Sequence, residues 1–169
     1  MNTLSDIVRP VTATFTALSA GLFFAYACSV SPGLERLPDT GYIVAMQSIN
    51  RAIQNPVFFT VFLGPLLLLP LSAYLCYAQP VPVRFGLLLA AAAIYYAGVF
   101  GVTVAGNVPL NDALEAFDLR SASVGEAAAQ RARFESAWNR LNLVRTLASV
   151  LVAALSAAAC LYPAQAAEQ

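Results

Sequence analysis

Three sets of polar side chains interrupt an otherwise apolar chain, each at helical spacing. Thr103, Asn107 and Asn111 step at i, i+4 and i+8, while Trp138, Asn142, Arg145 and Ser149 step at i, i+4, i+7 and i+11. Each set therefore lies along one helix face, provided that Pro109 does not fully break the first. Gln47, Asn50, Arg51 and Gln54 form a third set at similar spacing. Arg145 lies one turn inside an apolar run. A cation there is expensive, so it must face the interior of a bundle and find an acceptor or a carboxylate. Asp112, Glu115 and Glu135 are the available carboxylates. Two uses fit these residues. One is a capping and ion-pair network that locks helices together. The other is a ligand or active site at the bundle mouth, where donors and one cation converge on an apolar pocket. The same side chains can serve both.

The rest of the composition limits the chemistry. There is no histidine, so the commonest general base and metal ligand at neutral pH is missing. Cys28, Cys76 and Cys160 are odd in number and lack CxxC spacing, so neither a metal site nor a disulfide framework is expected. They read as small buried hydrophobes. No cofactor is predicted. A formal net charge of zero leaves no basic patch for nucleic acid.

Hydrophobic residues make up 59% of the 169 positions and charged ones 11%, against about 25% charged in an ordinary soluble domain. One soluble core cannot bury that much apolar surface, so lipid must solvate the excess. A spanning helix needs about 20 largely apolar residues, and four runs qualify: Val11–Val30, Val57–Ala78, Phe85–Gly106 and Leu143–Leu161. The expected fold is all-α: a single-domain, multi-pass integral membrane four-helix bundle over residues 1–169, with amphipathic helices in its two long connections. Pro65 and Pro70 should kink the second span without ending it. Ala97, Gly98, Gly101 and Gly106 offer the third span a surface for close approach. Ala25-Tyr26-Ala27 before Cys28 also reads as a signal-peptide cleavage site. Asp6 and the threonines and serines of the first run favour a retained span instead.

The short Gln79-Pro80-Val81-Pro82 connection makes spans two and three an antiparallel hairpin, so both long connections emerge on one side. In the first, Ile43, Met46, Ile49, Ile53 and Phe58 recur at roughly helical spacing. In the second, Pro109 suits the first turn of a helix holding Leu110, Leu114 and Phe117. Ser123 and Glu126 form a capping box that opens a helix running through Trp138 into the fourth span. Arg36, Arg51, Arg120, Arg131, Arg133 and Arg140 lie on the long-connection side, against Arg9 and Arg84 on the other. By count alone this favours a cytoplasmic position for the connections. Folded connections weaken that rule, and the orientation stays open. Asn50-Arg51-Ala52-Ile53 and Asn111-Asp112-Ala113-Leu114 follow the first and third spans, a faint internal repeat. It would place Arg51 opposite Asp112 as an ion pair.

The segments Met46 to Arg51, Asn107-Val108-Pro109-Leu110-Asn111-Asp112, and Trp138 through Asn142 to Arg145-Thr146 resemble the signature of the anthrone oxygenase-like membrane family. Most bacterial members of that family form a domain of unknown function. The resemblance covers most of the chain in order. It implies oxidation of an apolar phenolic or quinone-like molecule. A deprotonated anthrone is a delocalised carbanion able to meet O2 without a cofactor, and its site needs a base and an anion holder. Without histidine the base falls to a carboxylate, Asp112 first and Glu135 second. Arg145 with Asn107, Asn111 and Asn142 would hold the oxyanion. Tyr95 or Tyr96 would add a hydroxyl, and Asn50, Arg51, Thr103 and Trp138 would line the ligand site.

Three functions follow as expectations: a cofactor-independent oxygenase, a non-catalytic membrane protein that binds a lipid, an apolar small molecule or a partner, and a small-molecule transporter. The third would need a homo-oligomer to form a path.

Overall fold

The computed structural model describes residues 3–77, 79 and 81–162. In chain order its α-helices are α1 Thr3–Ala25, α2 Ser31–Leu34, α3 Asp39–Ala52, α4 Pro56–Tyr77, α5 Pro82–Ile94, α6 Val108–Glu115 and α7 Val124–Leu161. Wider π-helical turns occupy Tyr26–Val30, Tyr95–Gly101 and Thr103–Asn107. They carry α1 into α2, and α5 into α6, without a break. Four helices are thus long and apolar enough to cross a membrane: Leu4–Leu34, Pro56–Tyr77, Pro82–Glu115 and Val124–Leu161. The fold is an all-α membrane helical bundle. Ala78 and Pro80, expected to close the second span and form the hairpin turn, lie outside the described residues.

Local chemistry sets the helix boundaries. Ser123 and Glu126 cap α7 reciprocally: the Ser123 hydroxyl accepts from the Glu126 N–H, and the Glu126 carboxylate accepts from the Ser123 N–H at 2.8 Å. Asn55 caps α4 by accepting the Phe58 N–H at 3.0 Å, with Pro56 in the first turn where its missing N–H costs nothing. Pro109 sits likewise in the first turn of α6. Pro65 and Pro70 both remain inside α4.

The long helices form a ring in which α1 and α5 each pack against both α4 and α7. Their outer faces carry large apolar side chains such as Leu67, Tyr74 and Leu147, each 64% exposed or more. Side chains of that kind facing outward need lipid around them. Inside, small polar groups link the helices. Thr12 and Ser72 hydroxyls lie 2.7 Å apart, and Thr146 donates to the Phe23 carbonyl at 3.1 Å. Bonds of this kind contribute about 0.6 kcal/mol each in a bilayer. Glycines bring the backbones close. A Cβ on Gly98 would lie 2.8 Å from Ala148 Cβ, one on Gly106 would meet the end of Leu141 at 2.7 Å, and one on Gly64 would meet the Phe15 ring at 2.6 Å.

At one end α3, α6 and the first half of α7 build a cap over the bundle. Its core contains Tyr42, Ile43, Met46, Leu114, Phe134 and Trp138. Arg131 ties the cap together. It bonds Glu135 at 2.8 Å and Asp39 at 3.1 Å, donates to the Leu37 and Glu35 carbonyls, and stacks over the Tyr42 ring. Burial, with the Glu135 carboxylate adding to it, pushes the Tyr42 phenol above its ordinary range against the opposing pull of Arg131. The first π-widened span leads through α2 to α3 and the third leads into α6, and α3 packs against α6. The pairing across them differs from the expected one. Arg51 bonds Glu115 at 2.6 Å, one turn beyond Asp112, and Asp112 makes no ion pair among the described residues.

Gly98 and Gly106 face neighbours of different stiffness. Gly98→Ala presses against a methyl on a rigid backbone and should cost about 1–3 kcal/mol. Gly106→Ala meets only the tip of a flexible leucine and should cost less. Thermal unfolding in mild detergent should rank the two in that order, with Ala148→Gly restoring Gly98→Ala. Equal losses, or no restoration, would contradict this packing.

Candidate functional site

Beneath the cap the bundle encloses a cavity of about 400 Å³. That volume falls in the range of small-molecule sites, roughly 300–1,000 Å³. Much of its wall is apolar: Phe23, Phe58, Phe62 and Phe100 contribute rings, and Leu22, Ile49 and Ile53 are among the aliphatic side chains beside them. Phe62 and Phe100 pack with centroids 6.0 Å apart, and Phe58 stacks on Phe62 at 5.3 Å. The polar lining comes from Asn50 and Gln54 on the α3 side, Thr103, Asn111 and Asp112 from the third long helix, and Trp138, Asn142 and Arg145 on α7.

Arg145 is 6% exposed and has no carboxylate partner among the described residues. One guanidinium nitrogen donates to Asn142 Oδ1 at 3.0 Å, and another makes a long bond of 3.4 Å to Thr103 Oγ1. Its Nε–H finds no acceptor among the described residues. The charge is sandwiched between the rings of Phe23 at 4.7 Å and Trp138 at 5.3 Å. Ring faces stabilise a desolvated cation by about 2 kcal/mol, far less than burying it costs. The arrangement keeps a positive charge unneutralised at a cavity wall.

The neighbouring groups are aligned by similar contacts. Trp138 Nε1 donates to Asn111 Oδ1 at 2.9 Å, which leaves the Asn111 amide NH2 as a donor. The Tyr26 ring packs on Trp138 at 5.2 Å. Asn50 is 7% exposed and its Nδ2 has no partner among the described residues. Asp112 also lines the cavity but is exposed, at its rim, whereas Arg145 is buried.

The two sequence stripes meet here, with one displacement. Trp138, Asn142 and Arg145 line the cavity together, and Ser149 is buried just beyond them, donating to Thr146. Thr103 and Asn111 also line it, but Asn107 does not. The π-helical turn Thr103–Asn107 takes more residues per revolution than an α-helix, so Asn107 rotates off the line and Asn111 returns to it. Asn107 is 1% exposed, and neither of its amide atoms has a partner among the described residues.

Four other candidates lie away from the cavity. Tyr95 is buried below it, donating to the Phe62 carbonyl at 2.7 Å, with Ser19 Oγ at 3.2 Å. Tyr96 is on the outer face and donates to the Leu66 carbonyl at 2.7 Å. Both phenols clasp α4 rather than reach a ligand. Glu135 is engaged by Arg131, and Arg51 by Glu115. Sequence reasoning missed Phe23, Tyr26 and the phenylalanines of α4. Nothing in their spacing separates them from other apolar residues of a span. Among the described residues no three His, Cys, Asp or Glu side chains gather into a metal-binding group.

The sequence pattern of the anthrone oxygenase family matches residues 58–155, more than half of the chain, and the chain belongs to that family. The matched stretch contains Thr103, Asn111, Asp112, Trp138, Asn142 and Arg145, but not Asn50 on α3 or Gln54 just after it. No curated protein and no solved structure matches.

An unpaired buried charge opposes folding. Arg145→Met, similar in length and apolar, should therefore raise the thermal midpoint, by on the order of 1 kcal/mol in stability. A large drop in the midpoint would mean that the arginine serves the fold instead of the cavity.

Proposed function

We propose that this member of the anthrone oxygenase family is a multi-pass integral membrane enzyme that oxidises an apolar phenolic molecule of the anthrone type in the cavity beneath its cap. One observation carries the reading: among the described residues Arg145 is buried without a counter-charge, and its Nε–H is unpartnered at the wall of a largely apolar cavity. Such a site is complementary to an anion that forms within it, rather than to a neutral ligand alone.

The chemistry follows from the substrate class. Removal of a methylene proton from an anthrone leaves a carbanion delocalised onto the carbonyl oxygen. Asp112 at the rim is the residue placed to accept that proton. The oxyanion would lie against Arg145, with the Asn111 amide as a second donor. Asn142 and Thr103 keep the guanidinium in place. The rings of Phe23, Phe62 and Phe100 would hold the planar skeleton. The carbanion then passes its electrons to O2 and bonds to it at the former methylene carbon. Loss of water from that adduct breaks the O–O bond and leaves a new carbonyl. One oxygen stays in the quinone, and the other departs as water with the two methylene hydrogens.

The test is oxygen uptake by the purified protein in mild detergent with a simple anthrone. Arg145→Met and Asp112→Asn should each remain folded and lose roughly 10²-fold or more of the rate above the spontaneous background. Uptake no faster than the background in the wild type would remove the oxygenase reading. Anthrone binding that Arg145→Met weakens, without turnover, would instead favour a non-catalytic binding protein.

A further inference from the structure

We infer that the cavity is loaded sideways from the bilayer, through a window between α4 and the third long helix, framed by Phe59 and Leu63 on one side and Val104 and Val108 on the other. This rests on the proposed reading only for the identity of the ligand. The window itself follows from how the four long helices are joined.

Two seams of the ring are closed by close contact. At α1 and α4, Gly64 lies against the Phe15 ring, and Thr12 meets Ser72. At the third long helix and α7, Gly98 lies against Ala148, Gly106 lies against Leu141, and Arg145 bonds Thr103. The seam between α4 and the third helix is different. It is held at the hairpin end by the Tyr77–Phe85 ring pair, and in the middle by the Tyr95 and Tyr96 hydroxyls on the Phe62 and Leu66 carbonyls. The last link toward the cap is the Phe62–Phe100 pair, which lies in the cavity wall. Beyond it no hydrogen bond or ring pair joins the two helices among the described residues, and α4 does not pack closely against Thr103–Asn107.

The residues at this parting line the cavity and also face outward. Phe59 is 43% exposed, Leu63 41%, Val104 51% and Val108 41%. Phe59 and Leu63 are spaced i, i+4 on α4, and Val104 and Val108 both line the cavity from the third long helix, so the two pairs form facing apolar jambs. Leu63 lies within about 10 Å of the capped end of α4 by helix rise. The opening therefore sits at the shallow end of the acyl chains. A flat aromatic molecule with one polar edge accumulates at that depth. Passing between these jambs polar edge first, it would bring that edge to Arg145 without crossing water. The widened turn Thr103–Asn107 holds Val104 in this position, and π-helical turns often mark functional sites.

Trp138 is the only tryptophan in the chain and lines the cavity, so it reports what enters. The experiment places the full chain in vesicles of phosphatidylcholine brominated near the glycerol end of its acyl chains, and records Trp138 emission. Wild type should be quenched by the bromines. Val104→Phe and Leu63→Phe, which fill the opening from opposite sides, should lose most of that quenching. Leu67→Phe, one turn along on the lipid-facing surface, should behave as wild type. The two window variants report independently should either prove unstable. Anthrone added to plain vesicles should also reach Trp138 on the order of tenfold more slowly in the window variants. Quenching absent in wild type, or unchanged in Val104→Phe and Leu63→Phe, overturns the window. Because the lipid readout needs neither anthrone nor turnover, an inactive protein whose quenching the window variants still abolish would refute the oxygenase and leave the window standing.

Discussion

Arg145 places an uncompensated positive charge inside an apolar bundle, and much of the surrounding structure accommodates it. No carboxylate among the described residues pairs with it. Asn142 and Thr103 hold the guanidinium by hydrogen bonds, and Phe23 and Trp138 cover its faces. Each of these residues is then constrained in turn. Trp138 must reach Asn111 with its N–H, which brings the third long helix to α7. Phe23 must present its ring while its carbonyl accepts from Thr146, which fixes α1 against α7. The groups that accommodate this charge thereby also link three helices around an open volume.

The carboxylates that might have neutralised Arg145 are employed elsewhere. Glu135 belongs to Arg131 and Glu115 to Arg51. These pairs hold the cap together and take acids away from the cavity. Only Asp112 remains at the rim, exposed, while the cation is buried. The buried cation and the exposed carboxylate are thus separated by environment. Two such groups in direct contact would neutralise each other and leave little attraction for a ligand.

The π-helical turns connect fold to site. They lie where the first and third long helices pass the cavity, and they supply Tyr26 and Thr103 to its lining. A wider turn redirects every residue after it. That shift lets Asn111 join Thr103 in the wall and leaves the Asn107 amide buried without a partner. It also loosens the third helix from α4 near the cap, while glycines keep it tight against α7. An opening on one side of the bundle is a consequence of that asymmetry.

The sequence by itself determined the four long apolar helices, the cap helices and the capping box at Ser123 and Glu126, because each depends on local composition, spacing and end chemistry. It also identified the stripe Trp138, Asn142 and Arg145, since a charge inside an apolar run has few places to point. Tertiary structure decided the rest. Periodicity assumes an ideal turn, so it placed Asn107 with Thr103 and Asn111 and did not foresee the π-helical shift. Ion pairs depend on distances between elements far apart in the chain. The partner of Arg51 therefore proved to be Glu115, and Arg131 proved to be the hub of the cap. Tyr95 and Tyr96 adjoin the site in sequence, yet only packing shows their hydroxyls turned toward α4. The cavity itself has no local signature. It is the space left when glycines close two seams of the ring and a third seam remains apart.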